Sequence, residues 1–262
     1  MTLYLALDTS TEELAVGLGS FTPEGAHLIG EVNLDVPRAS LTHLVPSIER
    51  LVASADLRVR DIGAVIVGRG PGSFTGVRIG VATAKGIAQG LGVPLYGVGT
   101  LDAIAERFAG RDGLLGVVSD AMRHEIYPAL FRCSNGEVRR LTPHRVAPPE
   151  VVAEEWAALG EPLVITGNGL SKYADVFTAT MGGEVSLAHE AMWAPTGQAL
   201  LAAGWRARAA GEAGDGDVAT VLPVYTRLSD AEVNERVRSG ITGSTGATPA
   251  SGVAGPARET RP

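Results

Sequence analysis

Few residues in this chain have the types and spacing that could do chemistry. Asp8-Thr9-Ser10-Thr11 places one carboxylate beside three hydroxyls between two apolar runs. A hairpin that contacts a phosphate has that composition, and so does an Asx-type turn in which the carboxylate binds its own backbone. Gly68-Arg69-Gly70-Pro71-Gly72-Ser73 invites a phosphate reading because a helix that follows it offers free amides. It matches neither G-x-G-x-x-G nor G-x-x-x-x-G-K-[ST], and Lys85 has no P-loop setting. Ser73 in G-S-F-T-G stands one place early for a nucleophile elbow. The glycines read as a turn that needs positive φ. His27, His43, His124, His144 and His189 lack the i, i+3 or i, i+4 spacing of a helical metal site. Asp120, Arg123, His124 and Glu125 form a polar cluster that reads as a charged surface loop. From the residues alone, the catalytic, cofactor-binding and metal sets are all empty.

The elements around these residues are better defined. Residues 65–99 read as strand, glycine-rich turn, helix, strand. Val65-Ile66-Val67 is a β-branched run typical of a buried strand. The Gly/Pro cluster stops it, and Ser73 or Thr75 can cap the helix expected from Phe74 to about Gly90. Glycine inside a helix costs roughly 1 kcal/mol relative to alanine, yet Gly76, Gly80, Gly86 and Gly90 all fall within this one. Gly76 and Gly80 share a stripe with Thr83 and Ala84, whereas Ala82, Gly86 and Gly90 make a second. Small residues at every fourth position let another backbone approach closely. Two stripes suggest two neighbours, the home sheet and a second polypeptide.

Upstream, residues 4–8, 14–19 and 27–34 read as three sequential strands of an antiparallel meander. Leu41, Leu44, Val45, Ile48, Leu51 and Val52 follow helical spacing, with Pro46 interrupting it. The first hundred residues therefore read β-β-β-α-β-α-β, with another helix from 101 to 108. A similar order starts near residue 110: strands at 114–118, 125–133 and 137–146, a helix at 150–159, a strand at 163–166 and a short helix at 171–177. A long helix follows from 195 to 210. This pattern predicts a duplicated α/β fold. Its first unit comprises residues 1–108 plus about 218–228, which return as a strand or extended segment, and its second comprises 109–217. Residues 239–262 are too poor in apolar groups to offset their ordering entropy, and disorder is expected there.

The chain has 262 residues, 45% hydrophobic but only 5% aromatic, so an aliphatic core is expected. A net charge of −7 argues against unaided binding of nucleic acid, whose phosphates demand cations. Cys133 is the single cysteine, so no disulfide forms within the chain, as suits a reducing cytoplasm. No signal peptide or membrane span is expected.

Several segments together resemble the bacterial TsaB (YeaZ) family: L-A-L-D-T-S-T-E, G-R-G-P-G-S-F-T-G-V-R-I-G, K-G-I-A-Q-G-L-G-V-P-L-Y-G-V-G-T-L, S-D-A-M-R-H-E-I-Y and P-V-Y-T-R. The similarity runs from Leu5 to about Arg227. It implies an actin-like ATPase fold, that of sugar kinases, Hsp70 and actin, with two duplicated subdomains. It also implies a cytoplasmic role in forming N6-threonylcarbamoyladenosine (t6A) at position 37 of tRNAs that read codons beginning with A. In that family the chain is a non-catalytic scaffold that pairs with its catalytic paralogue TsaD and with the ATPase TsaE. tRNA is met only through the complex, no membrane is involved, and a weak homodimer forms when the partner is absent. The paralogue's two metal-binding histidines correspond here to Thr100 and Ile104, and neither side chain replaces an imidazole as a ligand. The partner interface the resemblance implies comprises Leu41, Leu44, Ile48, Gly76, Val77, Gly80, Thr83, Ala84 and Ile87. Two alternatives stand beside this reading: an ATP-binding kinase or ATPase using Asp8 and Thr9, and a glycoprotease-like peptidase.

Overall fold

β-branched and leucine-rich runs supply the strands of two sheets, and the chain enters both in the same way. In the computed structural model, which describes residues 2–36 and 40–225, the first sheet contains five strands. They are β1 (Leu3–Asp8), β2 (Glu13–Thr22), β3 (Gly25–Asp35), β4 (Ala64–Gly68) and β5 (Leu95–Val98), in the order β3-β2-β1-β4-β5. β1, β2 and β3 pair antiparallel, whereas β4 and β5 join in parallel. The second sheet contains β6 (Gly113–Asp120), β7 (Ile126–Ser134), β8 (Glu137–Arg140), β9 (Leu163–Thr166) and β10 (Val185–Leu187), in the order β10-β9-β6-β7-β8. Read from β8, that is the first sheet's order repeated, with the same antiparallel and parallel pairings. Two such sheets in one chain are the duplicated actin-like ATPase fold expected from the sequence.

The helices cover these sheets where their periodic apolar faces require it. Helix α1 (Ser40–Ser54) buries Leu44, Ile48, Leu51 and Val52 against the first sheet. Pro46 lies within it. Helix α2 (Phe74–Leu91) buries Val77, Val81, Ala84 and Ala88 in the same cluster. Ser73 caps α2 by accepting the Gly76 N–H, and Gly92 ends it at φ 67°, where L side chains are disfavoured. Short helix α3 (Thr100–Glu106) packs Leu101, Ile104 and Ala105 onto the second sheet. Helices α4 (Pro149–Ala157) and α5 (Leu170–Met181) cover that sheet's opposite face through Trp156 and Phe177.

One placement differs from the sequence reading. Helix α6 (Gly197–Ala209), expected within residues 109–217 as part of the second unit, packs on the first sheet, with Leu200 and Leu201 among Tyr4, Ala6 and Ala15. Gly17 and Gly197 permit this, because a β-carbon on Gly17 would stand 2.8 Å from the Gly197 Cα. Of the segment expected to return as a strand or extended segment, residues 218–220 form a turn, 221–225 run beside the first sheet's helices without strand pairing, and 226–228 lie outside the described residues. The Val224 N–H donates to the Arg69 carbonyl, and Val221 is buried beside α2. Strand β10 is an element the periodicity did not predict. Residues 239–262 lie outside the described residues. Among the described residues no helix is long and apolar enough to cross a membrane.

Candidate functional site

Two places could do something: the loop that joins β1 to β2, and the outward faces of α1 and α2. The loop is closed. Asp8 is fully buried; its Oδ1 accepts from the Ser10 N–H and hydroxyl at 2.5 Å each, and its Oδ2 accepts from the Thr100 hydroxyl at 2.6 Å. The Gly70 N–H in turn donates to Thr100 Oγ1 at 3.0 Å, and the Thr100 N–H donates to the Gly70 carbonyl. Thr100 therefore latches the hairpin to the glycine-rich turn. Burial pushes the Asp8 carboxyl above its ordinary range, while the Ser10 and Thr100 hydrogen bonds pull the other way.

Glycine makes the fit possible on the turn's side. A β-carbon on Gly68 would overlap the Asp8 carboxylate, one on Gly72 the Ser10 carbonyl, and one on Gly76 the Thr9 carbonyl. The Thr9 hydroxyl donates to the Gly76 carbonyl at 2.6 Å, and the Ser73 N–H donates to the Ser10 carbonyl at 2.7 Å. The turn is tight, with a cis Gly70–Pro71 peptide and Gly70 at φ 88°. Both Asp8 carboxylate oxygens are engaged within the loop, and the Ser10 and Thr9 carbonyls lie where β-carbons on Gly72 and Gly76 would stand. Ser10 is unsuited to act as a nucleophile, since its hydroxyl is buried against Asp8 and Thr100. The buried Cys133 thiol is pushed up by desolvation, away from its reactive form.

The remaining candidates are structural. The Asp120 carboxylate accepts from the Met122 N–H and pairs with Lys172. His124 meets Glu150 at 2.8 Å, and Met122, Arg123 and His124 all take positive φ in this tight hairpin. Lys85 reaches the Ala219 carbonyl. Ile104 is 1% exposed. The described residues contain no group of three or more His, Cys, Asp or Glu side chains placed to hold a metal ion.

The expected interface divides sharply. Leu44, Ile48, Val77 and Ala84 are buried in the chain's own core, and Gly76 and Gly80 are buried beneath the β1–β2 loop. A β-carbon on Gly80 would stand 2.6 Å from Thr9 Oγ1. These six residues are therefore held by intramolecular packing, because the first stripe of small residues seats the chain's own hairpin. Leu41 is 69% exposed, and Thr83 and Ile87 are half-buried. The second stripe is open: Ala82, Gly86 and Gly90 are exposed, and a β-carbon on Gly86 or Gly90 would meet nothing within 4 Å. Val45 is exposed on the neighbouring α1. Along α2's flank, Arg78 stacks 3.8 Å above the Phe74 ring and donates to the Tyr225 hydroxyl, which ties residues 218–225 alongside.

Sequence reasoning missed Thr100 as the latch. Its only signal was a buried hydroxyl just after a strand end. It also missed the bidentate Arg206–Glu106 pair joining α6 to α3, which no local pattern announces.

Comparison with known proteins fits this architecture. Residues 34–235 match the family model described as TsaD, tRNA N6-adenosine threonylcarbamoyltransferase. The tRNA threonylcarbamoyladenosine biosynthesis protein TsaB of Bacillus subtilis is 28% identical over 87% of this chain and 95% of that one. TsaB of Escherichia coli is 34% identical over 66% of this chain and 74% of its own length. An uncharacterized Mycobacterium leprae protein is 41% identical over 133 residues, only 36% of its length. The crystal structure of YeaZ from Pseudomonas aeruginosa, at 30% identity, superposes with a TM-score of 0.71 over 86% of this chain and all of that one. With its duplicated sheets, its G-R-G-P-G-S-F-T-G turn and these matches, the chain belongs to the TsaB (YeaZ) family of tRNA threonylcarbamoyladenosine biosynthesis proteins.

Proposed function

We propose that the chain is the non-catalytic docking subunit in t6A formation at position 37 of tRNAs reading codons that begin with A. It acts in the cytoplasm, pairs with the catalytic paralogue TsaD, and is joined by the ATPase TsaE. The observation that carries this reading is the uncovered stripe Ala82–Gly86–Gly90. It lies on a helix whose other small-residue stripe is already used internally. Small side chains there let a partner helix approach closely, and Leu41 and Val45 of α1 add exposed apolar area beside it. A paralogue of the same fold can present a matching pair of helices, giving a pseudo-twofold contact. The same faces allow a weak homodimer.

Two observations support a non-catalytic role. Thr100 and Ile104, at the positions of the paralogue's metal-binding histidines, are a structural latch and a core side chain. The excess of negative charge suits a protein that meets tRNA only through its partners.

The test is copurification of the full chain with the catalytic paralogue, followed by an assay of tRNA modification. Gly86→Arg is expected to melt at or slightly above the wild-type temperature while weakening pairing at least tenfold and reducing modification. A folded Gly86→Arg chain that pairs normally refutes this surface. Modification of tRNA by the isolated chain refutes the non-catalytic role.

A further inference from the structure

Among the described residues, two buried side-chain polar atoms have no hydrogen-bond partner: Arg69 Nε and His144 Nδ1. They belong to one cluster, where β5 and α3 of the chain's first half approach the β8 end of the second sheet. Arg69 leaves β4 and lays its stem across Gly97 of β5, where a β-carbon would overlap its Cδ. Asp102 of α3 and Arg140, the last residue of β8, form a bidentate pair at 2.8 Å. His144 follows in the loop after β8. Arg69, Asp102, Arg140 and His144 are close enough to act on one another's ionisation.

The chemistry of the two orphaned atoms restricts what can satisfy them. An arginine Nε–H only donates, so whatever meets Arg69 must accept. His144 Nδ1 can also carry a donated proton. A buried group left in this way is normally met by a water or an ion. Two guanidinium charges stand against one carboxylate, and Asp102 is already committed to Arg140. Among the described residues Arg69 makes no ion pair; its Nη1 makes a long hydrogen bond to the Leu222 carbonyl at 3.5 Å. Water would satisfy the geometry, whereas an anion would also pair with the charge of the partly buried Arg69.

We propose that Arg69, Arg140 and His144 form a binding site for a small tetrahedral oxyanion of the phosphate class, with Arg69 Nε and His144 Nδ1 as donors. Arg140 is a positioning residue, held in place by Asp102. Oxygens pointing in several directions let one ion meet donors carried by different elements. The site is distinct from the open stripe of α2 and needs no partner, so it stands or falls separately from the docking role.

The experiment titrates the isolated full chain with inorganic phosphate at constant ionic strength. The His144 imidazole resonances are followed by NMR and assigned by their loss in His144→Gln. A saturable shift is expected, with the Kd raised at least tenfold in Arg69→Met, whose stem still covers Gly97. Should Arg69→Met fail to fold, calorimetry on His144→Gln provides the second reading, again with at least tenfold weaker phosphate binding expected. No saturable response in the unmodified chain, the outcome for a site holding only water, overturns the proposal. An unchanged Kd in the folded variant does the same. Equal saturation by acetate at the same concentrations overturns the phosphate class.

Discussion

Helix α2 carries two stripes of small residues that are alike in sequence and opposite in surroundings. Gly76 and Gly80 are pressed against Thr9, so closely that a β-carbon on Gly76 would overlap a carbonyl oxygen. Gly86, and Gly90 one turn further on, face empty space. Both stripes incur the same conformational penalty of roughly 1 kcal/mol per glycine relative to alanine. On the inner side that penalty is offset within the molecule, by a hairpin that closes its hydrogen bonds onto the turn. On the outer side nothing among the described residues offsets it, and under the proposed docking role a partner's helix would. A short side chain thus reports that something comes close without reporting whose backbone it is.

The largest expected effect attacks the inner stripe. Gly76→Ala forces the Thr9 carbonyl away from α2 and strains the Asp8 latch behind it. A loss of about 3 kcal/mol is expected, at the upper end for overpacking. At about 2–4 °C per kcal/mol for a domain of this size, thermal melts should show a fall of several degrees. An unchanged melt would mean that the hairpin is loosely seated and the contrast between the stripes is false.

That contrast also marks how much of the molecule the sequence disclosed. Among the described residues, period and β-branching located nine of the ten strands and all six helices, because those signals are local. Ser73 was legible as a cap for the same reason. Strand β10 was not: three residues, Val-Ser-Leu, are too few to establish a period. The home of α6 was hidden because it depends on Gly17 and Gly197, 180 residues apart, meeting backbone to backbone. The latch was hidden in the same way. Asp8 and Thr100 are ordinary residues until β1, β4 and α3 bring them to 2.6 Å. Six of the nine residues expected at a partner interface are instead buried within the chain, since helical spacing groups residues by face but does not say which face is covered.

Thr100→Val tests the latch directly and should have the next largest effect. It leaves a buried Asp8 oxygen without its hydroxyl donor and the Gly70 N–H without its side-chain acceptor. A cost of about 2 kcal/mol is expected, because a buried group left unpaired loses its desolvation compensation. Urea denaturation measures it. In the second sheet the equivalent hairpin relies on Asp120 pairing with Lys172 at a more exposed position. Lys172→Met should therefore cost well under 1 kcal/mol, and a cost equal to that of Thr100→Val would erase the distinction between the two hairpins.

The buried carboxylate also makes stability depend on pH in a defined direction. Asp8 has a folded pKa above its unfolded value, so the folded chain binds more protons in the window between them. Its contribution to stability therefore rises as pH falls from 7 into that window and is lost as pH rises through the folded value. Glu13 and Glu106, also raised chiefly by burial, act in the same sense. His144, pushed down by burial, acts in the opposite sense below about its ordinary value of 6.5. The Asp8 contribution is isolated by comparison with Asp8→Asn. The unfolding free energy of the wild type minus that of the variant should grow as pH is lowered from 7 to 5. A constant difference would mean that water reaches Asp8, and hence that the inner junction is open.

A small effect of opposite sign belongs to the outer stripe. Gly86→Ala adds a methyl group that meets nothing, and it removes backbone freedom that only the unfolded chain enjoys. The isolated chain should gain about 0.5–1 kcal/mol, opposite in sign to Gly76→Ala in the same helix. A glycine kept where alanine is more stable needs a reason outside the folded monomer, so the same variant should pair less tightly with its partner. If Gly86→Ala destabilises the isolated chain, the outer stripe is packed after all and the two faces of α2 are not different. If it stabilises the chain and leaves pairing intact, the partner does not approach as closely as small side chains allow.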